Sequence, residues 1–333
     1  MNINDYLRPD ERWAIFGMPD GQSYLKTMML SDEFLAEVPQ DIKKSFITLQ
    51  HMIAHAYFHY ELYDEAYKKL LGLYEMAIKY SYISLISLPK TQQNQEIPNL
   101  HKMINHIARQ KHLRSFKMRL HEVRQKRNIA AHPKDYGFSG IVLKSSMFGV
   151  LNMINIIFAS RQSVEDWHES AQRLSKRFKP FRHGPYLLKL GEYQHLIDSF
   201  NMETMLSIDK AEIALCHCKV IGPDSTENLK HSIHENPVIL LAEKLIFTGN
   251  RLTGIHKSSG EPFSIEKVTA SLELKRWKAY QQELLACGGL KQQMNQAADA
   301  SYLTNQVEAF IHRYGKSAFK SKSSSSVSQN PIS

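Results

Sequence analysis

The chain has 333 residues, of which 43% are hydrophobic and 23% charged, enough for a sizeable core and a prior of two domains. Three cysteines (Cys216, Cys218, Cys287) exclude a disulfide framework, and the opening MNINDYLRPDERW has neither the basic start nor the apolar centre of a secretion signal. The net charge of +9 is unevenly placed: residues 101–182 hold 17 Lys and Arg against 5 Asp and Glu, and the remainder holds 25 against 28. A block this basic suits a polyanionic partner, nucleic acid first, although a solvated face with no partner has the same composition.

In chain order, residues 1–40 read as an irregular lead-in with a turn at PDGQ (19–22). A strong helical pattern runs from Asp41 to about Leu88, with Tyr63, Tyr67, Leu70, Leu71, Tyr74, Ala77 and Ile78 three or four apart. Pro39 and Asp41 suit its start, and its length suggests a break or two packed helices. LPKTQQNQEIPN (88–99) is a polar loop, LHKMINHIARQ (100–110) is helical again, and a further helix spans about Lys117 to Ala131, ending before Pro133. DYGFSG (135–140) is a turn. A serine-capped, buried helix then runs to about Ser170; its apolar run MFGVLNMINIIFA (147–159) is too short to span a bilayer and holds two Asn. This part, 41–172, is expected to be an antiparallel helical bundle.

SKRFKPFRHGP (175–185) reads as a basic linker. Beyond it, YLLKL, EIALCHCKVI, PVILLAEKLIFTG and NRLTGIH have strand composition, and helical pattern resumes from about Ile265. We expect a mainly α protein: the bundle, a smaller α+β domain over 183–318, and a low-complexity, disordered tail over 319–333. The expected location is cytoplasmic, with no membrane association.

The stretch RQKRNIAAHPKDY (124–136) concentrates the chemistry. On a helix with Arg124 at about 0°, Arg127 falls at about 300°, Asn128 at about 40°, Ala131 at about 340° and His132 at about 80°. Val123 and Ala130 lie together at about 250° and offer a separate stripe for the core. Pro133 ends the helix and leaves the imidazole at its C-terminus. Metal-free RNA cleavage needs a base for the 2′-hydroxyl, cations for the phosphorane and an acid for the leaving 5′-oxygen. Histidine suits the first or last role and arginine the second. One copy brings one such histidine, so a two-fold dimer would complete the set.

RNIAAH (127–132) resembles the R-x4-6-H motif of the HEPN superfamily, in which a polar residue follows the Arg. The context over about 40–170 is similar too: a long Tyr-rich, Ala-rich helical region, the motif on a late helix and a closing apolar helix. The resemblance implies a metal-independent endoribonuclease acting as a homodimer, of the kind frequent in toxin–antitoxin and antiviral systems, with an antitoxin or regulatory protein as a possible partner. It implies Arg127 and His132 as catalytic, with Asn128 supporting them, and no cofactor. Arg119, Arg124, Lys126 and Lys134 are expected to hold RNA phosphates, and Tyr136 to stack a base. The alternative is a non-catalytic HEPN-like module that binds nucleic acid or protein.

Two further constellations compete. His51, His55 and His59 are four apart, but the third drifts from the face of the first two, and no H-E-x-x-H is present. Cys216 and Cys218 with His231 and His234 form C-x-C…H-x-x-H, whose ligand types suit zinc although the C-x-C spacing is tight; two small buried hydrophobes is the other reading. There is no P-loop, dinucleotide or lipase-type motif.

Overall fold

The Tyr- and Leu-rich spacing around residue 70 produces a helix of 25 residues, α4 (Leu62–Ile86), in a computed structural model that describes residues 6–86, 98–131, 140–209, 211–231 and 233–320. An N-terminal helical region is followed by a six-stranded antiparallel barrel and a long C-terminal helix. The chain divides into two units; the first runs to Glu165 and takes in Phe319, and the second is Asp166–Ala318.

In the first unit α1 (Arg12–Ile15), α2 (Gly21–Met28), α3 (Gln40–His55), α5 (Leu100–Ile107), α6 (Lys117–Ala131) and α7 (Leu143–Phe158) accompany α4. α3, α5, α6 and α7 all pack on α4, which explains why its buried residues, from Tyr63 to Ser81, are too many for one stripe. The expected break in the long helical run falls at residues 56–61. The lead-in fixes it there: Trp13 Nε1 donates to the Ala56 carbonyl (2.8 Å) and the Asp10 amide to the Tyr57 carbonyl (2.9 Å). Asp41 does not cap α3; it lies in the first turn and accepts from the Tyr80 hydroxyl at 2.7 Å.

The lead-in is therefore not irregular. An Asp20–Ser23 capping box starts α2, and Trp13, Met18, Tyr24, Met28, Phe34, Leu35 and Val38 are buried. Its two short helices and extended links give no sustained period to read. Asn155, inside the apolar run of α7, clamps this segment by donating to the Glu33 carbonyl (2.7 Å) and accepting from the Leu35 amide (3.0 Å). Residues 140–158 are long and apolar enough to cross a membrane by length and composition, more than the 147–159 run suggested, and about half of that window is buried in the fold. The helix expected to reach Ser170 breaks at Ala159; Ser160 caps α8 (Arg161–Phe178), its Oγ accepting from the Ser163 amide at 3.1 Å. Gly140 has φ +48°, and a Cβ there would lie 1.8 Å from the Tyr60 hydroxyl, so glycine is required on both counts.

The second unit is a closed antiparallel meander: β1 (Tyr186–Leu190), β2 (Tyr193–Ile208), β3 (Ala211–Val220), β4 (Val238–Thr248), β5 (Arg251–His256) and β6 (Pro262–Lys267), with β6 pairing back onto β1. The sequence pattern marks four of these strands and misses β2 and β6. In β2 the inward residues are Ile197, Phe200, Met202 and Met205, at spacings of three, two and three, because bulges interrupt the register between Ile197 and Phe200 and between Met202 and Thr204. Strict alternation is lost, and with it the sequence signal. The supposed linker is structural: Leu174 and Phe178 of α8 and Phe181 in the following 3-10 turn fill the barrel together with Tyr186, Phe200 and Phe263. Gly254 pairs with Phe263, and a Cβ there would lie 2.7 Å from the Phe263 ring. Outside the barrel, α9 (Ser225–Lys230) and α10 (Ser271–Ala286) cover Leu196, Ile221 and Val268, and α11 (Gly289–Phe319) follows. Residues 321–333, most of the expected tail, lie outside the described residues.

Candidate functional site

α6 runs unbroken from Lys117 to Ala131, as its sequence suggests, and buries Leu120 and Val123. Arg127 projects between those two on the helical wheel, so it belongs to the packed face; the separation of an arginine face from a core face does not hold for this residue. Its guanidinium donates through Nε (2.9 Å) and Nη2 (2.7 Å) to Glu75 Oε2 on α4, and Glu75 also pairs with Lys79 at 2.9 Å. Burial pushes the Glu75 carboxyl up, but Lys79 and Arg127 outweigh it and hold the group below its ordinary value. The Arg127 side chain stays 34% exposed. With one edge on Glu75, it retains donors on the other for a phosphate.

Asn128 and Ala131 are exposed at the end of α6. His132, Lys134 and Tyr136 lie outside the described residues, so the structure gives the arginine half of the expected site. Of the expected phosphate contacts, Lys126 is exposed and reaches Ser146 Oγ on α7 at 3.4 Å, Arg119 is half-buried, and Arg124 donates to His121 Nδ1 at 3.3 Å. Arg124, Arg127 and Asn128 thus share one end of α6, whereas Arg119 lies nearer its start. Glu75 and Lys79 were not singled out from the sequence: their i,i+4 spacing reads as an ordinary helix-surface pair, and only the fold brings Arg127 to it. His101, Asn105 and His121, which meet around Arg124, were missed for the same reason.

The competing constellations do not assemble. His51 and His55 are exposed on α3, while His59 lies past its end and contacts Glu61 at 3.2 Å. Cys216 and Cys218 point into the barrel interior, as i,i+2 residues of one strand must, and burial pushes both thiols up, that of Cys218 to about 12. His217 faces the other way and bonds Glu203 at 2.9 Å, His231 is exposed, and His234 lies 3.3 Å from Asp299. Among the described residues no three His, Cys, Asp or Glu side chains are grouped to hold a metal ion.

His217 and His234 instead line a cavity of about 230 Å³ on the outer wall of the barrel, under the first half of α11. Lys219 bridges it, donating to the Glu235 carbonyl and lying 3.5 Å from Asp299. Asp198 accepts from Trp277 Nε1 and Gln281 Nε2, each at 2.7 Å, and its carboxyl is pushed up by burial.

No known protein family, no curated protein and no solved structure matches the chain.

Proposed function

We propose that the helical unit is a metal-independent endoribonuclease of the HEPN type, cleaving RNA by 2′-hydroxyl attack, acting as a homodimer and serving as a toxin or antiviral effector. The observation that carries the reading is Arg127: a half-exposed guanidinium at the end of a basic helix, held by Glu75 through one edge, five residues before His132. In this reading Glu75 is a positioning residue, Arg127 stabilises charge on the pentacoordinate phosphorus, and Asn128 orients the phosphate or imidazole. His132 of one copy takes the 2′-hydroxyl proton; the 2′-oxygen bonds to phosphorus and the bond to the 5′-oxygen breaks. His132 of the second copy gives that oxygen its proton, leaving a 2′,3′-cyclic phosphate and a 5′-hydroxyl.

A second copy also suits the outer face of α6. Met118 and Ile129 are 76% and 71% exposed there, on the same stripe, and a two-fold partner would cover them. The barrel unit would then sense a trigger, select substrate or restrain the nuclease. A second reading, a non-catalytic HEPN-like binding module, draws on the same Glu75–Arg127 pair, which serves equally well as a pin between two helices. The two separate on one experiment: wild type and His132→Ala of equal melting temperature, incubated with RNA in excess EDTA. Cleavage by wild type alone supports the nuclease; RNA left intact by both supports the module.

A further inference from the structure

We propose that His101, Lys117, His121 and Arg124 form an oxyanion site on the α5–α6 face that takes one backbone phosphate of RNA. The occupant's identity as RNA rests on the nuclease reading; the anion site rests on geometry. The His101 and His121 rings lie 4.8 Å apart at 35°. Arg124 Nε donates to His121 Nδ1 at 3.3 Å, which requires that nitrogen to be an acceptor. The proton of the neutral ring is then on Nε2, which donates to Asn105 Oδ1 at 3.3 Å. A guanidinium here spends its Nε on a neutral imidazole. Among the described residues no carboxylate pairs with Arg124, Lys117, His101 or His121, although Arg127, one turn on, has Glu75. This is an uncompensated knot of cations and near-cations within the segment that carries the basic excess.

The chemistry selects the ligand. A phosphate diester offers two charged oxygens, matched to the planar fork of Arg124 and to an imidazolium beside it. Burial, then His101, Arg124 and Lys117, hold the His121 pKa below its ordinary value, in line with a ring that accepts from Arg124. An anion in the site reverses the balance: His121 takes up a proton on Nδ1, gives that N–H to one phosphate oxygen, and Arg124 turns to the other. Binding is thereby coupled to proton uptake, is strongest below the phosphate-bound pKa and weakens as pH rises through it. His121 precedes Ala131, the last described residue of α6, by ten residues, about 15 Å along the helix, so the phosphate held here is one upstream or downstream of any phosphate held at that end.

The test uses the full chain with His132→Ala, so that RNA is bound and not cut, and adds His121→Gln or Arg124→Gln in variants of unchanged melting temperature. RNA affinity is read by fluorescence anisotropy between about pH 5.5 and about pH 8, where histidine titrates, and across a salt series. We expect affinity to rise by up to about tenfold toward acid, a change that His121→Gln largely removes. Arg124→Gln should weaken binding and lower the salt slope by about one. In parallel, inorganic phosphate is titrated against the His121 ring proton by NMR, with a raised pKa expected. RNA binding with the same pH profile and salt slope in both variants overturns the site and leaves the nuclease reading standing. A phosphate-shifted His121 in a protein that binds no RNA overturns the assigned occupant together with that reading. Loss of cleavage on His121→Gln in the otherwise wild-type chain, with binding and pH profile unchanged, overturns the anion role in favour of catalysis.

Discussion

Arg127 on α6 gives both its Nε and its Nη2 to one oxygen of Glu75 on α4, at 2.9 and 2.7 Å. The arginine of the RNIAAH stretch is thus fixed by a carboxylate 52 residues away in sequence. That contact makes it at once a helix pin and an aimed cation, and the two roles have different consequences.

Glu75→Gln keeps an acceptor but removes the charge. It should destabilise the protein by about 1–2 kcal/mol at neutral pH, since a partly buried charge-assisted bond becomes an ordinary one. The Glu75 carboxyl is held below its ordinary value in the folded state, so its contribution is complete above the unfolded value and is lost as pH falls through the folded one. Urea unfolding near pH 7 and again near the folded-state pKa should show the difference between wild type and Glu75→Gln shrink in acid. Under the nuclease reading the same variant lowers kcat by about tenfold or more with little change in KM, as loss of positioning does.

Residues 6–38 should prove integral to the helical unit. Trp13 is fully buried and holds the α3–α4 break through Ala56, so Trp13→Ala is expected to cost about 3–5 kcal/mol. A chain starting at Pro39 should lack cooperative unfolding of the helical unit by circular dichroism. A sharp, native-like transition in that truncated chain would return the segment to the status of a lead-in.

Native thiol chemistry should single out one cysteine. Cys216 and Cys218 face the barrel interior with their thiols pushed up, whereas Cys287 is partly exposed on α10's end, with its thiol toward the Leu229 carbonyl at 3.6 Å. Iodoacetamide at mildly alkaline pH should label Cys287 first, with Cys216 and Cys218 following only on denaturation. Rapid labelling of all three in the native protein would contradict the closed barrel.

Ile129→Glu tests the dimer. The residue is exposed and makes no core contact, so melting should change by less than about 0.5 kcal/mol. A charge within the proposed two-fold contact should shift light scattering from dimer to monomer and abolish cleavage together. A dimer that survives the change places the contact elsewhere.

Legibility in the sequence followed physical locality. α6 was readable over its described length because a regular helical period acts within one turn. The strands β1, β3, β4 and β5 were readable by composition, and β2 was not: two bulges shift its inward set and remove strict alternation. α2 hid behind short, irregular spacing, and barrel closure through the β1–β6 pairing is a long-range fact with no local mark. Within the candidate site, Arg124, Arg127 and Asn128 were legible as one cluster on a wheel. The anchoring of Arg127 was not: its partner Glu75 arrives from a helix whose own pattern spoke only of core. The cysteine pair illustrates the reverse case, where a ligand spacing dissolves once strand alternation turns Cys216 and Cys218 into the barrel while His231 is exposed and His234 lies beside Asp299.

The most direct measurement is cleavage of one RNA, and of the same strand with 2′-deoxy sugars, by wild type, Arg127→Lys and His132→Ala in excess EDTA, with product ends identified by mass. The account predicts that wild type cuts only the RNA and leaves 2′,3′-cyclic phosphate and 5′-hydroxyl ends. It predicts a loss of about 100-fold or more for either variant, the size expected of a removed acid–base or transition-state cation. Cutting of the deoxy strand, activity undiminished in His132→Ala, or RNA left intact by wild type would each contradict it.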